Sequence, residues 1–113
     1  MNVSEYIVRE LYKLKIDTVF TVTGGGSMYL NDAFGKNKKF KKIYLHSEQS
    51  CSMAADTYAR IKNKPAVVCV TTGPGGINAI NGVFGAFTDS VPMIVISGQV
   101  KKSTNVRMKD YRA

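Results

Sequence analysis

The feature that most constrains the fold is a repeated order of short apolar run, loop and helical pattern along the chain. Strands are predicted at residues 18–22, 42–45, 66–70 and 93–97, and helices at 3–14, 27–34, 48–62 and 77–87. Strands that alternate with helices predict an open parallel sheet covered by helices on both faces. The chain is therefore predicted to be α/β, with three layers (α/β/α) and a mainly parallel sheet.

The length of 113 residues allows one compact domain and leaves no room for a second. The formal charge of +8 favours contact with anions, but charge alone does not choose among phosphates, acidic proteins and membranes. Lysines crowd residues 36–42, and no aromatic ladder or nucleic-acid motif accompanies them. We interpret this stretch as a solvated loop and expect no nucleic-acid partner.

The two cysteines, Cys51 and Cys69, have no C-x-x-C pattern and no second pair. We therefore expect reduced core cysteines in a cytoplasmic protein, with neither a disulfide framework nor a metal site. The amino terminus enters a helical pattern at once, so no signal peptide is expected. Apolar runs such as residues 92–96 are far shorter than the roughly 20 residues that cross a bilayer, and no membrane partner is expected.

Four distinctive loops follow predicted strands and should share the carboxyl edge of the sheet, where such sheets bind ligands. They contain Gly24–Gly26, Ser47–Glu48, Gly73–Gly76 and Gly98–Gln99. Neither glycine cluster has the lysine of a phosphate-binding P-loop, and Asn78 stands where a dinucleotide fingerprint needs its third glycine. The glycines alone are as consistent with tight turns as with ligand contact.

Single residues are equally open to ordinary explanations. Glu48 begins a predicted helix, where the helix dipole alone favours a carboxylate. His46 has neither a triad nor a metal partner in view and is interpreted as a loop residue. Helical spacing predicts a core-filling role for a further set of side chains, Met53, Tyr58, Phe84 and Phe87.

Several short strings of the sequence are informative when they are taken together. They are Asp17-Thr18-Val19-Phe20, Thr23-Gly24-Gly25, Ser47-Glu48-Gln49, Ala54-Ala55-Asp56-Thr57-Tyr58-Ala59-Arg60, Thr72-Gly73-Pro74-Gly75 and Asp89-Ser90-Val91-Pro92. In order and spacing they resemble the pyrimidine-binding (PYR) domain of thiamine-diphosphate (ThDP) enzymes of the acetolactate-synthase family. The resemblance extends from the first helix to Lys101.

This resemblance implies that Glu48 is catalytic. It would hydrogen-bond N1′ of the cofactor's aminopyrimidine and promote the imino tautomer that takes the proton from thiazolium C2, in an enzyme that decarboxylates 2-keto acids and forms carbon–carbon bonds. Gln99 would face the substrate. The residues implied to bind the cofactor are Thr23, Gly24, Gly25, Glu48, Thr72, Gly73, Pro74, Gly75 and Asn78.

The resemblance also implies missing parts. Residues 1–113 correspond to the PYR domain alone, and the chain lacks the Gly-Asp-Gly sequence of a diphosphate-binding domain. The central domain and that diphosphate domain, which would bind Mg²⁺, are expected elsewhere, and a complete enzyme can also carry FAD. The chain is interpreted as a fragment, a truncated product or a separately encoded half. It should hold half a ThDP site, lack turnover alone, and pair with a diphosphate domain of another subunit or chain in a homo-oligomer.

Two other functions stay open. One is a non-catalytic interaction domain, a remnant of such an enzyme that contacts a protein through its basic loop or an apolar face. The other is a Rossmann-type nucleotide binder, which shares the sheet architecture but needs a glycine fingerprint and an acidic ribose ligand that the sequence does not place.

Overall fold

The computed structural model describes residues 1–104, and residues 105–113 of the predicted domain lie outside this range. Helices and strands alternate as predicted, with short 3-10 turns at Gly25–Ser27 and Lys102–Thr104. The elements are α1 (Val3–Lys13), β1 (Thr18–Thr21), α2 (Met28–Lys36), β2 (Lys41–Tyr44), α3 (Glu48–Lys62), β3 (Val67–Val70), α4 (Pro74–Thr88) and β4 (Ile94–Ser97).

All four strands pair in parallel in the order β2-β1-β3-β4. The register places Thr18 opposite Lys41 and Val67 opposite both Val19 and Ile94. Every residue of β1 and β3 is buried, whereas β2 and β4 at the edges are partly exposed. The continuous apolar run of β3 thus predicted a central strand correctly, because a strand covered on both faces carries no polar alternation.

Two clusters of apolar side chains fill the spaces between the sheet and the two helical layers. On one face of the sheet, Val8 of α1 and Phe34 of α2 pack with Val19 and Val67. On the other face, Ala55 of α3 and Ala79 of α4 belong to the cluster around Phe20, Val68 and Val70. The three-layer α/β/α architecture with an open parallel sheet is therefore confirmed.

Local sequence fixes where the helices begin. Asn2 and Glu5 form a capping box on α1, in which the Asn2 side chain accepts a 2.8 Å hydrogen bond from the Glu5 amide. The Ser47 hydroxyl accepts a 3.1 Å bond from the Ser50 amide and caps α3 directly before Glu48. These caps satisfy amide groups that the first helical turn leaves unpaired.

Helix α4 begins three residues earlier than predicted, at Pro74 instead of Ile77. Proline is well suited to the first helical position because its missing amide hydrogen has no helical partner there. Gly73 before it has φ of 63°, a left-handed value that glycine adopts without strain. Gly75 therefore lies in the first turn of the helix and not in a free loop.

The core-filling prediction was wrong for three side chains. Phe84 and Phe87 on α4 are 69% and 82% exposed, and Met53 on α3 is also exposed. Tyr58 alone of the four is partly buried, and its ring meets Phe20 edge-on at 6.0 Å. Helical spacing shows that apolar residues share a face but does not show what covers that face.

Small residues bring α3 and α4 close together. A Cβ atom on Gly82 would lie 2.6 Å from the carbonyl carbon of Ser52 and 2.7 Å from the backbone nitrogen of Met53, and it would also collide with the Ser52 hydroxyl. Gly82 therefore permits a helix contact that no larger residue allows. None of the helices in the described part of the chain has the length and apolar character needed to cross a membrane.

Both cysteines are buried free thiols, as predicted. Burial, aided by the charge of Glu48, raises the pKa of Cys51 from 9.0 to about 11. Burial also raises the pKa of Cys69 to about 11, although a hydrogen bond with Thr21 opposes it. The folded state therefore favours the protonated thiols.

We expect the thiols' contribution to stability to be complete below about pH 9 and lost as the pH rises towards about 11, because the unfolded chain then releases these protons more readily. Urea unfolding across this range should show a steeper fall in unfolding free energy for the native chain than for the Cys51→Ala/Cys69→Ala variant. Equal pH slopes for the two proteins would contradict the expectation.

Candidate functional site

The sheet has a switch point between its two central strands. The chain leaves β1 through α2 on one face to reach β2, and it leaves β3 through α4 on the other face to reach β4. At such a point the two loops diverge and leave a crevice at the carboxyl edge, where ligands of open α/β sheets bind. The two glycine-containing loops predicted to form a site follow these two strands.

Thr71 joins the two loops. Its hydroxyl accepts a 3.0 Å hydrogen bond from the amide of Gly26. Cβ atoms on Gly24, Gly26 and Gly75 would lie 2.5, 2.9 and 2.7 Å from atoms of the Thr71 side chain. Sequence reasoning missed Thr71, since its importance depends on a loop that is distant along the chain.

A small network of polar side chains connects the loop after β1 to the central strands of the sheet. The Ser27 hydroxyl bonds to Oδ1 of Asn31 at 2.7 Å, and Nδ2 of Asn31 donates to the Thr21 hydroxyl at 3.1 Å. Thr21 in turn donates to the carbonyl of Cys69 on β3 at 2.7 Å. The network links the loop after β1 to the central strands and so restricts its position.

Glu48 is held at the same edge as the first residue of α3. Its Oε2 accepts a 3.3 Å hydrogen bond from Nδ2 of Asn78, which is on α4. Its Oε1 lies 3.5 Å from the position that a Cβ of Gly75 would occupy. The positive end of the α3 dipole favours the carboxylate there. Three predicted site residues, Glu48, Gly75 and Asn78, are therefore together.

Gln99 lies at the other side of the joined loops. Its side-chain oxygen accepts hydrogen bonds from the Thr72 hydroxyl at 3.1 Å and from the Val100 amide at 2.9 Å. The backbone amide of Gln99 donates a hydrogen bond to the Gly26 carbonyl at 3.1 Å. Gln99 and Gly26 line an open cavity of about 590 Å³, but Glu48 is not among its lining residues.

The remaining predicted residues form the exposed part of the rim. Thr23, Gly73 and Pro74 are exposed. Apart from the adjacent residues in the chain, no atom of residues 1–104 lies within 4 Å of the position that a Cβ would take on Gly25 or Gly73, so the backbone is uncovered at both places. His46 is also exposed, as interpreted from sequence. Within residues 1–104, no group of three or more histidine, cysteine or acidic side chains is placed to hold a metal ion.

The arrangement can offer a carboxylate and bare backbone to a flat polar ligand. Asn78 occupies one oxygen of Glu48, and no hydrogen bond in the described part of the chain occupies the other. A ring nitrogen that approached the free oxygen could exchange a proton with it.

Comparison with known proteins identifies the family. The sequence model described as "Thiamine pyrophosphate enzyme, N-terminal TPP binding domain" matches residues 1–110. The acetolactate synthase large subunit of Buchnera aphidicola (subsp. Schizaphis graminum) is 41% identical over 100 residues, covering 88% of this chain. The mitochondrial acetolactate synthase catalytic subunit of Saccharomyces cerevisiae is 41% identical over 88 residues, covering 78% of this chain.

The chain spans only 18% and 13% of the lengths of these two relatives. An X-ray structure from Mycobacterium smegmatis, assigned as a thiamin diphosphate-dependent enzyme, superposes with a TM-score of 0.81 at 26% identity. The superposition covers 91% of this chain and 20% of the other. The chain therefore belongs to the family of thiamine pyrophosphate enzymes, as an N-terminal TPP-binding domain of the acetolactate-synthase type.

Proposed function

We propose that this domain binds the aminopyrimidine half of ThDP and that Glu48 is its catalytic residue. The enzyme it completes would decarboxylate a 2-keto acid and join the product to a second carbonyl compound. The observation that carries the proposal is the position of Glu48. The carboxylate lies at the carboxyl edge of the sheet, next to the first turn of α4, where Asn78 holds one oxygen and no hydrogen bond within residues 1–104 occupies the other.

The residues present suit an aminopyrimidine. Bare backbone at Gly25 and Gly73 allows a flat ring to approach closely, since no side chain stands in the way. The free oxygen of Glu48 is an acceptor for a protonated ring nitrogen. Thr23, Gly24, Thr72 and Pro74 would shape the walls of this half-site.

ThDP, when bound, supplies the electron sink for decarboxylation. The chain's own contribution is position and proton control. Glu48 would hold a proton between its carboxyl oxygen and N1′ of the pyrimidine, and Asn78 would keep the carboxylate in one orientation through its hydrogen bond. Gln99, fixed by Thr72, would present its amide group to the substrate side of the cavity.

The domain would work as half of a site. The matched residues make up only 18% and 13% of the two relatives, which supports further domains elsewhere in the functional enzyme. We propose that a diphosphate-binding domain of another subunit or chain supplies Mg²⁺ and completes the site, and that the isolated chain lacks turnover. FAD binding would belong to those other domains. The cytoplasmic location stays a prediction.

An exposed apolar stripe on α4 supports such pairing. Ile77, Ile80, Phe84 and Phe87 recur every three or four residues, opposite the buried face of the helix, and are between 55% and 82% exposed. Contiguous apolar surface of this kind marks protein interfaces. The same stripe favours the second candidate function, a non-catalytic domain that contacts a protein partner.

Reconstitution separates the two functions. Pyruvate consumption should be measured with ThDP and Mg²⁺ for the chain alone, for a diphosphate-binding domain of an acetolactate synthase large subunit alone, and for their mixture. We expect turnover only in the mixture. A complex that forms but stays inactive with pyruvate and other 2-keto acids would instead favour the interaction domain.

Asn78→Ala should lower turnover of the mixture by about 2- to 12-fold, because a net hydrogen-bond contribution of about 0.5–1.5 kcal/mol is lost at the Glu48 carboxylate. Asn81→Ala is the matched control, since Asn81 is an exposed residue of the same helix. Initial-rate measurements would compare the two variants. Equal rates for both would show that Asn78 does not position Glu48.

A further inference from the structure

A second concave site lies at the opposite edge of the sheet. A cavity of about 250 Å³ opens at the amino ends of β1 and β2, beside the last turns of α3. Glu48 and the glycine loops are at the carboxyl edge, so this cavity does not belong to the proposed pyrimidine site. Its lining is mainly cationic and consists of Asp17, Thr18, Lys39, Lys41, Tyr58, Lys62 and Lys64.

The cationic side chains come from two separate segments of the chain. Lys41 begins β2 and Lys39 lies two residues before it, whereas Lys62 ends α3 and Lys64 lies two residues beyond it. Like charges that converge on a cavity repel one another, and the repulsion is relieved when an anion binds. The fold therefore assembles a positive site that the lysine-rich stretch at residues 36–42 does not form by itself.

The existing counter-charges do not neutralise this cavity. Asp17 pairs with Lys64 at 3.2 Å, and Lys39 lies 5.2 Å from the centre of the Tyr12 ring. No carboxylate within residues 1–104 forms an ion pair with Lys41 or Lys62. The carboxyl end of α3 adds only about half a negative charge. Positive charge therefore remains in excess.

Hydroxyl groups accompany the lysines. The hydroxyl oxygens of Thr18 and Tyr58 are 3.2 Å apart, and Asp17 accepts a 3.0 Å hydrogen bond from Thr18. Asp17 thus orients Thr18 and Lys64 from one side of the cavity. Each hydroxyl has a single proton, and these protons lie within the cluster of Asp17, Thr18 and Tyr58. The ammonium groups are therefore the donors that remain for an anion, and charge-assisted bonds from ammonium groups suit phosphate oxygens.

We propose that this cavity is a binding site for a small anion of the phosphate class, such as free phosphate or diphosphate. The cavity volume lies below the range of roughly 300–1,000 Å³ that is usual for drug-sized ligands, which favours a small anion over a whole nucleotide. Lys41 and Lys62 would be the principal ligands, with Lys39 and Lys64 beside them, and Thr18 and Tyr58 would form an uncharged part of the wall.

The test is an amide NMR titration of the full chain with sodium diphosphate and with phosphate, at constant ionic strength. We expect saturable shifts centred on Thr18, Lys41, Tyr58 and Lys62. Lys41→Gln/Lys62→Gln should weaken diphosphate binding by at least about tenfold, because two charge-assisted contacts are lost. The matched control Lys38→Gln/Lys102→Gln, which removes the same charge from exposed positions outside the cavity, should bind as the native chain does.

Equal loss in both double variants would overturn the proposal, since it would indicate a general effect of net charge. Shifts that do not saturate, or that are spread over the lysines of the whole surface, would overturn it as well. A single-stranded oligonucleotide serves as a separate arm. Binding of the oligonucleotide without binding of diphosphate would indicate a nucleic-acid surface and reject the small-anion site. The matching amide spectra of each variant would verify that it folds.

Discussion

Glu48→Gln should lower 2-keto-acid turnover by at least about 100-fold in the mixture of this chain with a diphosphate-binding domain, in line with typical acid–base contributions. Glutamine preserves the size of the side chain and can still accept the hydrogen bond from Asn78, but it cannot take up or release a proton at this edge of the sheet. The loss should therefore appear in kcat more than in assembly of the complex. Initial rates with pyruvate would measure it.

Asp32→Asn is a suitable control for this substitution. It also converts a carboxylate to an amide, but Asp32 lies on the exposed side of α2, where it pairs with Lys36 at 2.9 Å. Exposed pairs of this kind contribute little to stability. If Glu48→Gln and Asp32→Asn gave the same turnover, Glu48 would have no catalytic role.

Gly82→Ala should reduce the free energy of unfolding by about 1–3 kcal/mol, the usual cost of overpacking. On an isolated helix the same substitution would stabilise by about 1 kcal/mol, because alanine is the better helix former. Here the sign reverses, since the added methyl group would meet the backbone of Ser52 and Met53 across the α3–α4 contact. Chemical denaturation would measure the change.

The same helix offers a matched position with the opposite expectation. A Cβ on Gly85 would lie 3.9 Å from Oδ2 of Asp56, which is an ordinary contact distance, and outside its own helix it would meet nothing closer among residues 1–104. Gly85→Ala should therefore stabilise the chain by about 0.5–1 kcal/mol, through helix propensity alone. If Gly82→Ala were also stabilising, α3 and α4 could not pack as closely as described.

The order of the elements was predictable because each one is encoded locally. The apolar run of β3, the cap at Ser47 and the glycines that end β1 and β3 act within a few residues of where they lie. The start of α4 was misplaced because glycines at positions 75 and 76 indicate a loop by composition. Pro74 at the first helical position outweighs that local preference.

The parts that could not be predicted depend on contacts between distant segments. Glu48 was predicted as a site residue from its motif, but its bond to Asn78 joins residues thirty positions apart. The role of Thr71 depends on contacts between the loop after β1 and the loop after β3, which the sequence alone does not reveal. The exposure of Phe84 and Phe87 depends on which neighbour covers α4, and helical spacing carries no information about neighbours.

Exchange of the C2 proton of ThDP with solvent would test the central claim most directly, because it does not depend on knowing the keto acid. Proton NMR in D₂O would follow the exchange with Mg²⁺ and a diphosphate-binding domain, in the presence of this chain, of its Glu48→Gln variant, or of neither. We predict fast exchange with the native chain and the slow rate of the chain-free sample with the variant. Equal exchange rates for the native chain and Glu48→Gln would contradict the claim that this domain activates the cofactor through Glu48.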